Sequence, residues 1–135
     1  MQRRDVVTCF LLRGDKVLLL KRSDRVRTYP GKWAAVSGAL EAPDAAAEAL
    51  REVREETGLA PPVVEVVRTA PPLEVEDPAW GVAWRVHPVL ARVQEGAEPR
   101  LDWEHAEARW VPPVHVKAFD TVPALAAALE RVLHA

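Results

Sequence analysis

Glu52, Glu55 and Glu56 stand at i, i+3 and i+4 within the stretch Arg51-Glu52-Val53-Arg54-Glu55-Glu56-Thr57-Gly58-Leu59. A helix with that spacing projects all three carboxylates from one face, and Glu48 extends the same edge one turn earlier. At separations of about 6–8 Å, and an effective dielectric near 20, each pair repels by roughly 2–3 kcal/mol. On an exposed face, water and salt absorb most of that repulsion. In a cleft, the carboxylates need counter-charge or must hold protons. Oxygen-rich clusters of this kind suit Mg²⁺, with Mn²⁺ as a substitute, because such ions bind one or two carboxylates together with waters and substrate phosphates. A metal-bound water then becomes a nucleophile while the ion neutralises phosphate charge. The competing reading is a solvated acidic face balanced by Arg51 and Arg54.

The elements that must carry these residues are legible in outline. Val6 to Leu12 is rich in β-formers, Arg13-Gly14-Asp15-Lys16 has turn chemistry, and Val17 to Leu20 opens a second apolar run. Together they predict a β-hairpin. Lys21 to Lys32 reads as a polar loop, and Trp33 to Val36 as a further strand. The clearest helix spans Asp44 to Thr57, with Ala46, Ala49, Leu50, Val53 and Thr57 on one buried stripe. Asp44 is placed to cap its start, and Gly58 to take a left-handed conformation at its end. Val63 to Arg68 and Trp80 to Val93 look extended, Ala108 to Val111 is a short strand, and Thr121 to Leu133 is an amphipathic helix. Strands, helix, strands, helix implies a mixed sheet covered by helices.

The residues from Arg51 onward resemble the second half of the Nudix box, GX5EX7REUXEEXGU, where U is a bulky aliphatic residue. Arg51-Glu52, Val53, Glu55-Glu56, Gly58 and Leu59 match every specified position of that half. The first half departs from it: Gly38 is one residue too close to Arg51, and Asp44 is the nearest carboxylate to the missing first Glu. The resemblance implies an α/β fold of the Nudix type, an α/β/α sandwich with a mixed β-sheet, over one domain at 1–135. It also implies that Glu52, Glu55, Glu56 and the Gly38 carbonyl hold Mg²⁺, and that Arg51 orients Glu55. The general base is sought among Glu52, Glu104 and Glu107, the last two read as lying in the loop before the final strand. The implied reaction is hydrolysis of a pyrophosphate linkage in a small nucleotide-like substrate: a nucleoside triphosphate, dinucleoside polyphosphate, nucleotide sugar or ADP-ribose. A nucleotide-sensing module without catalysis is the alternative on the same fold. Homodimers are common in that family. Tyr29-Pro30-Gly31-Lys32-Trp33 also resembles the isoprenyl diphosphate isomerase branch, but Ala34-Ala35-Val36-Ser37 lacks the Cys its chemistry needs.

Among other residues, Arg22, Arg25 and Arg27 suit phosphate oxygens, with Arg22 and Arg27 taken forward as substrate contacts. Trp33 and Trp84 are taken forward as stacking surfaces for a base, with Trp80 a weaker candidate. Trp103 and Trp110 read as core. Of four histidines only His105, beside Glu104, attracts functional interest, and Ser37 lacks a nucleophile-elbow context. The chain has 135 residues and a net charge of −2, which gives no global attraction to nucleic acid or membrane. Cys9 is a lone cysteine, so neither an internal disulfide nor a Cys-based zinc site is available. The first residues lack a signal-peptide pattern, and no apolar run approaches the roughly 18 residues of a membrane span, so a cytoplasmic location is expected.

Overall fold

Alternation along the first strand sets the architecture. In β1 (Gln2–Arg13), Val7, Cys9 and Leu11 point to one face of the sheet and Phe10 to the other, and all four are buried. The structure, a computed structural model, describes residues 1–134. β1 turns at Gly14 into β2 (Lys16–Arg22), with Leu12 opposite Val17 and Arg13 opposite Lys16. Short strands β3 (Trp33–Ala34) and β4 (Val36–Ala39) follow, β3 on β2 and β4 on β1. After helix α1 (Ala45–Thr57) come β5 (Val64–Thr69), β6 (Leu73–Asp77), β7 (Val82–Val93), β8 (His105–Val111) and helix α2 (Leu125–Leu133). β1 and β7 run parallel and every other strand pairing is antiparallel, so the sheet is mixed. α1 covers the face bearing Val7, Cys9, Leu18 and Leu20, and α2 covers the face bearing Phe10, Val17, Leu19 and Leu90. This is the expected α/β/α sandwich.

Several elements differ from the sequence expectation. β6 was not anticipated: Leu73–Asp77 pairs with Val82–Val86 of β7, while β5 pairs with its other half. Pro71 and Pro72 separate the two partners because neither can donate to a ladder. α2 starts at Leu125, not Thr121. Pro123 disfavours a helical Val122, Ala124 takes φ 65°, and the chain here hydrogen-bonds Trp33 on both sides instead. β8 reaches back to His105, and β2 extends through Arg22, so the loop is confined to 23–32. The four-residue turn at Gly14, the helix over 45–57 and both of its caps stand as expected.

Candidate active site

α1 begins at a well-formed cap, in which Asp44 Oδ1 accepts from the Ala47 N–H at 2.8 Å. It ends at Gly58, whose φ of 76° is left-handed and whose N–H bonds to the Arg54 carbonyl. Val53, Ala49 and Thr57 anchor its inner stripe, whereas Ala46 and Leu50 are only half-buried. Two carboxylates are buried on this helix as well: Glu48 is 0% exposed and Glu56 3%. Their surroundings differ completely.

Glu48 is satisfied. Its Oε1 accepts from the Glu41 and Ala42 N–H groups, both at 2.8 Å, and its Oε2 accepts from Arg51 at 2.7 and 3.0 Å. Burial alone would raise its pKa. Hydrogen bonds from Glu52, those two backbone groups and Arg51 prevail and bring it to about 2. Arg51 also reaches Glu41 at 2.9 Å, so it closes the junction between β4 and α1 and does not orient Glu55, as the i, i+4 spacing suggested.

Glu56 has no such support. Its Oε2 is buried without a hydrogen-bond partner. Burial, followed by the negative charges of Glu104, Glu52 and Asp102, pushes its pKa up to about 10. Glu52 rises to about 8, through burial first and then its contacts with Glu48 and Glu55. Arg51 lies 3.6 Å from Glu52 but makes its short bonds elsewhere. Gly38 explains how Glu52 fits: a Cβ there would lie 2.3 Å from the Glu52 carboxyl carbon, so only glycine lets this backbone and side chain approach. Glu55 is exposed, and among the described residues no three acidic, His or Cys side chains are gathered around one point as ion ligands. The expected convergence of three carboxylates is therefore reduced to Glu52 and Glu56, with Glu55 acting through its charge.

The test of whether these residues suit a divalent cation is their charge balance. The buried Glu56 oxygen without a partner, and two carboxyl groups whose pKa values burial and mutual repulsion raise, form a site short of positive charge. Mg²⁺ needs only one or two protein carboxylates and completes its shell with water and phosphate oxygens. The donor set fits the ion.

A cleft of about 580 Å³ opens beside this site, between the sheet, the 23–32 loop and α2. Arg22, Gly38, Glu104, Tyr29, Trp84 and Leu125 are among the residues that line it. Glu52 and Glu56 do not line it, but the Glu52 carboxyl packs against Gly38, and Glu56 interacts through charge with Glu104. Arg22 is fixed by donating to the Thr28 carbonyl at 2.8 Å and to its hydroxyl at 3.2 Å. Burial lowers its pKa, while the charges of Glu104 and Glu56 act the other way. Glu104 precedes β8, and burial first, then Asp102, raise its pKa. Trp84 donates through Nε1 to the Tyr29 hydroxyl at 2.9 Å, and that hydroxyl donates to Asp77, so the aromatic wall is tied across the mouth.

Other expected site residues lie elsewhere. Trp33 is 8% exposed and packs edge-on against Phe119 at 5.2 Å, in the core and outside the cleft. Arg27 is exposed and away from the cleft lining. Glu107 lies within β8, opposite Lys21, and its carboxylate accepts from Arg109 at 2.7 Å, which removes it from the loop where a base was sought. Trp103, read as core, is 58% exposed, because it sits at the tip of the loop before β8. Trp110 is half-buried under the Arg13 guanidinium. Sequence reasoning missed Tyr29 as a cleft residue, and also Asp102, whose Oδ1 lies 3.1 Å from His105 Nδ1. The short spacing from Asp102 to Glu104 and His105 was the available signal.

The NUDIX domain model matches residues 2–132. The uncharacterized Nudix hydrolase NudL of Enterobacter sp. (strain 638) is 38% identical over 77 residues, 54% of this chain and 40% of that protein. NudL of Citrobacter koseri is 42% identical over 60 residues, 43% of this chain and 31% of its own length. The chain thus aligns with less than half the length of these curated relatives. Among solved structures, the MutT NUDIX hydrolase from Burkholderia pseudomallei superposes with a TM-score of 0.72 at 25% identity, covering 98% of this chain and 99% of its own. A C. elegans Ap4A hydrolase binary complex shares the fold with a TM-score of 0.75 at 20% identity, over 95% of this chain and 93% of that one. This chain belongs to the NUDIX domain family.

Proposed function

We propose that the chain is a Mg²⁺-dependent pyrophosphohydrolase acting on a nucleoside diphosphate linked to a further group, with Mn²⁺ as an alternative ion. The observation that carries this reading is the pair of uncompensated carboxyl groups, Glu52 and Glu56, beside a cleft lined by the half-buried Arg22. Glu52, Glu56 and the Gly38 carbonyl would hold the cation, with Glu55 adding negative charge nearby. When bound, the ion supplies charge neutralisation on the phosphates and lowers the pKa of water.

The chain's own groups do the rest. Arg22, pre-set by its bonds to Thr28, grips phosphate oxygens without a further ordering cost. Glu104 lines the same cleft with a raised pKa, so it is suited to take the proton of the attacking water. Water adds at one phosphorus, the bridging P–O bond breaks, and the leaving oxygen departs as the second phosphate product. Trp84 and Tyr29 offer a flat apolar wall to a base, and about 580 Å³ lies within the range of nucleotide-sized pockets. The family belonging and the family's chemistry support the same reading.

The test is hydrolysis of nucleoside triphosphates, dinucleoside polyphosphates, nucleotide sugars and ADP-ribose, with Mg²⁺ or with chelator, the products being separated by ion exchange. Turnover of at least one class with Mg²⁺ alone is expected. Glu56→Gln and Glu52→Gln should fold and lose about 10²-fold or more in kcat. Unchanged rates in both variants remove the reading. Tight nucleotide binding without any hydrolysis replaces it with nucleotide sensing.

A further inference from the structure

His105 is the other buried polar side chain at Glu56, and the reaction outlined above does not use it. Its side chain is 1% exposed, with Nδ1 3.1 Å from Asp102 Oδ1 and Nε2 3.5 Å from Glu56 Oε1. A carboxylate can only accept, so Nδ1–H donates to Asp102 Oδ1 and fixes the ring plane, which in the neutral ring leaves Nε2 as the acceptor. The other edge of the ring then faces Glu56. Glu56 Oε1 is the oxygen nearest the ring, at 3.5 Å, and the other, Oε2, is buried without a partner.

The backbone arranges this deliberately. β8 pairs regularly with β2 until Lys21 meets Glu107, but the next pair is Arg22 with His105. One residue of β2 is therefore matched by two of β8, a bulge that leaves the small, exposed Ala106 as the extra residue. Ala108 and Trp110 pack on the α1 side of the sheet. Strict alternation would send His105 to the opposite side, together with Glu107 and Arg109. The bulge reverses that parity and brings His105 back under α1, against Glu56.

We propose that His105, held by Asp102, is a positioning residue for Glu56: it fixes one carboxylate oxygen so that the free one is presented to the divalent cation. This rests on the reading of Glu56 as a cation ligand. A histidine that merely fills space would need neither the Asp102 contact nor the bulge.

The two ring nitrogens can be separated by substitution. Gln places an amide group, able to accept through its oxygen or donate through its nitrogen, near the position of Nε2, and Asn places one near that of Nδ1. Titration of Mn²⁺ into metal-free protein should show His105→Asn binding about 10–100-fold more weakly than wild type. His105→Gln should recover most of that affinity. With a hydrolysed nucleotide, His105→Asn should lose kcat by a similar factor while KM stays within about threefold, since no contact to the nucleotide is removed. Thermal melts run alongside report packing. Equal Mn²⁺ affinity in wild type and both variants overturns the proposal, as do equal losses in Asn and Gln. Should neither variant fold, Asp102→Asn keeps the shape and removes the anchoring charge; it should weaken Mn²⁺ binding in the same direction, and unchanged affinity overturns the proposal. A wild-type protein that binds Mn²⁺ but hydrolyses nothing defeats the proposed activity and leaves this comparison intact. A wild-type protein that binds no Mn²⁺ defeats both.

Discussion

Replacing Glu56 with Gln should make the metal-free protein more stable at alkaline pH and should flatten its pH dependence. Glu56 has an ordinary pKa of 4.5 and is pushed up to about 10 in the fold, mainly by burial and then by Glu104, Glu52 and Asp102. Its folded pKa is raised, so between those values the native state binds more protons than the unfolded chain. Stability is then fully present below about pH 4.5 and is lost progressively as pH rises. Each pH unit inside the window costs about 1.4 kcal/mol per group. From about pH 6 to pH 8 that amounts to roughly 3 kcal/mol, a large part of the 5–15 kcal/mol typical of a domain. For a chain of this size it corresponds to a fall in Tm of about 10 °C. Glu52, pushed up to about 8, titrates in the same window and shares protons with Glu56, so the pair is expected to act jointly. Glu104 acts in the same direction. His105, lowered by burial, opposes the trend only up to its ordinary value of 6.5. The assay is a series of urea or thermal melts in chelator for wild type and Glu56→Gln. Wild type should lose stability steadily relative to the variant as pH rises, and Mg²⁺ should restore it, because the ion binds the ionised native form alone. Parallel melts for the two proteins across the window would refute the reasoning.

Three further outcomes follow from the same geometry. Gly38→Ala should fold, with Tm within about 3 °C of wild type, since the flexible end of Glu52 can retreat from the new Cβ; titration of Mn²⁺ should show affinity reduced by about 10–100-fold because that carboxylate is displaced. Gly58→Ala forces a Cβ into φ 76°, costing about 1–2 kcal/mol. Tm should drop by several degrees while kcat and KM hold, and a change confined to kinetics would show the cap to be misread. Trp84→Ala should raise nucleotide KM about tenfold, in line with roughly 1–3 kcal/mol per stacked base, and leave kcat within about threefold.

The sequence made α1 legible because its signals are local: an apolar stripe, a capping Asp44 and a left-handed Gly58 all lie within 15 residues. The hairpin at Gly14 was readable for the same reason. β6 was hidden because five residues between prolines carry too little periodicity, and its existence depends on β7 being long enough to pair twice. Tryptophan roles were the least readable. Trp33 and Trp84 look alike in sequence, yet one is sealed against Phe119 and the other opens on the cleft. Arg51 was misassigned for a related reason. Spacing along a helix identifies which groups can meet, whereas Glu41, folded back from the preceding loop, decided which did.

That fold-back also explains how a shortened, incomplete first half of the motif is compatible with an intact second half. Asp44, the nearest substitute for the missing glutamate, has its Oδ1 engaged in capping α1. The shorter connection runs through residues 40–44, and Glu48 ties it down from inside the helix by accepting both the Glu41 and Ala42 N–H groups. A buried carboxylate needs a positive partner as well, and Arg51 supplies it while holding Glu41. The consequence reaches the site. With Arg51 bound to Glu48 and Glu41, little positive charge is left for Glu52, and Glu56 has beside it a histidine whose pKa burial lowers, with Arg22 interacting through charge alone. The helix thus separates its acids by partner: Glu48 is matched within the chain, and Glu52 and Glu56 remain to be matched from outside it.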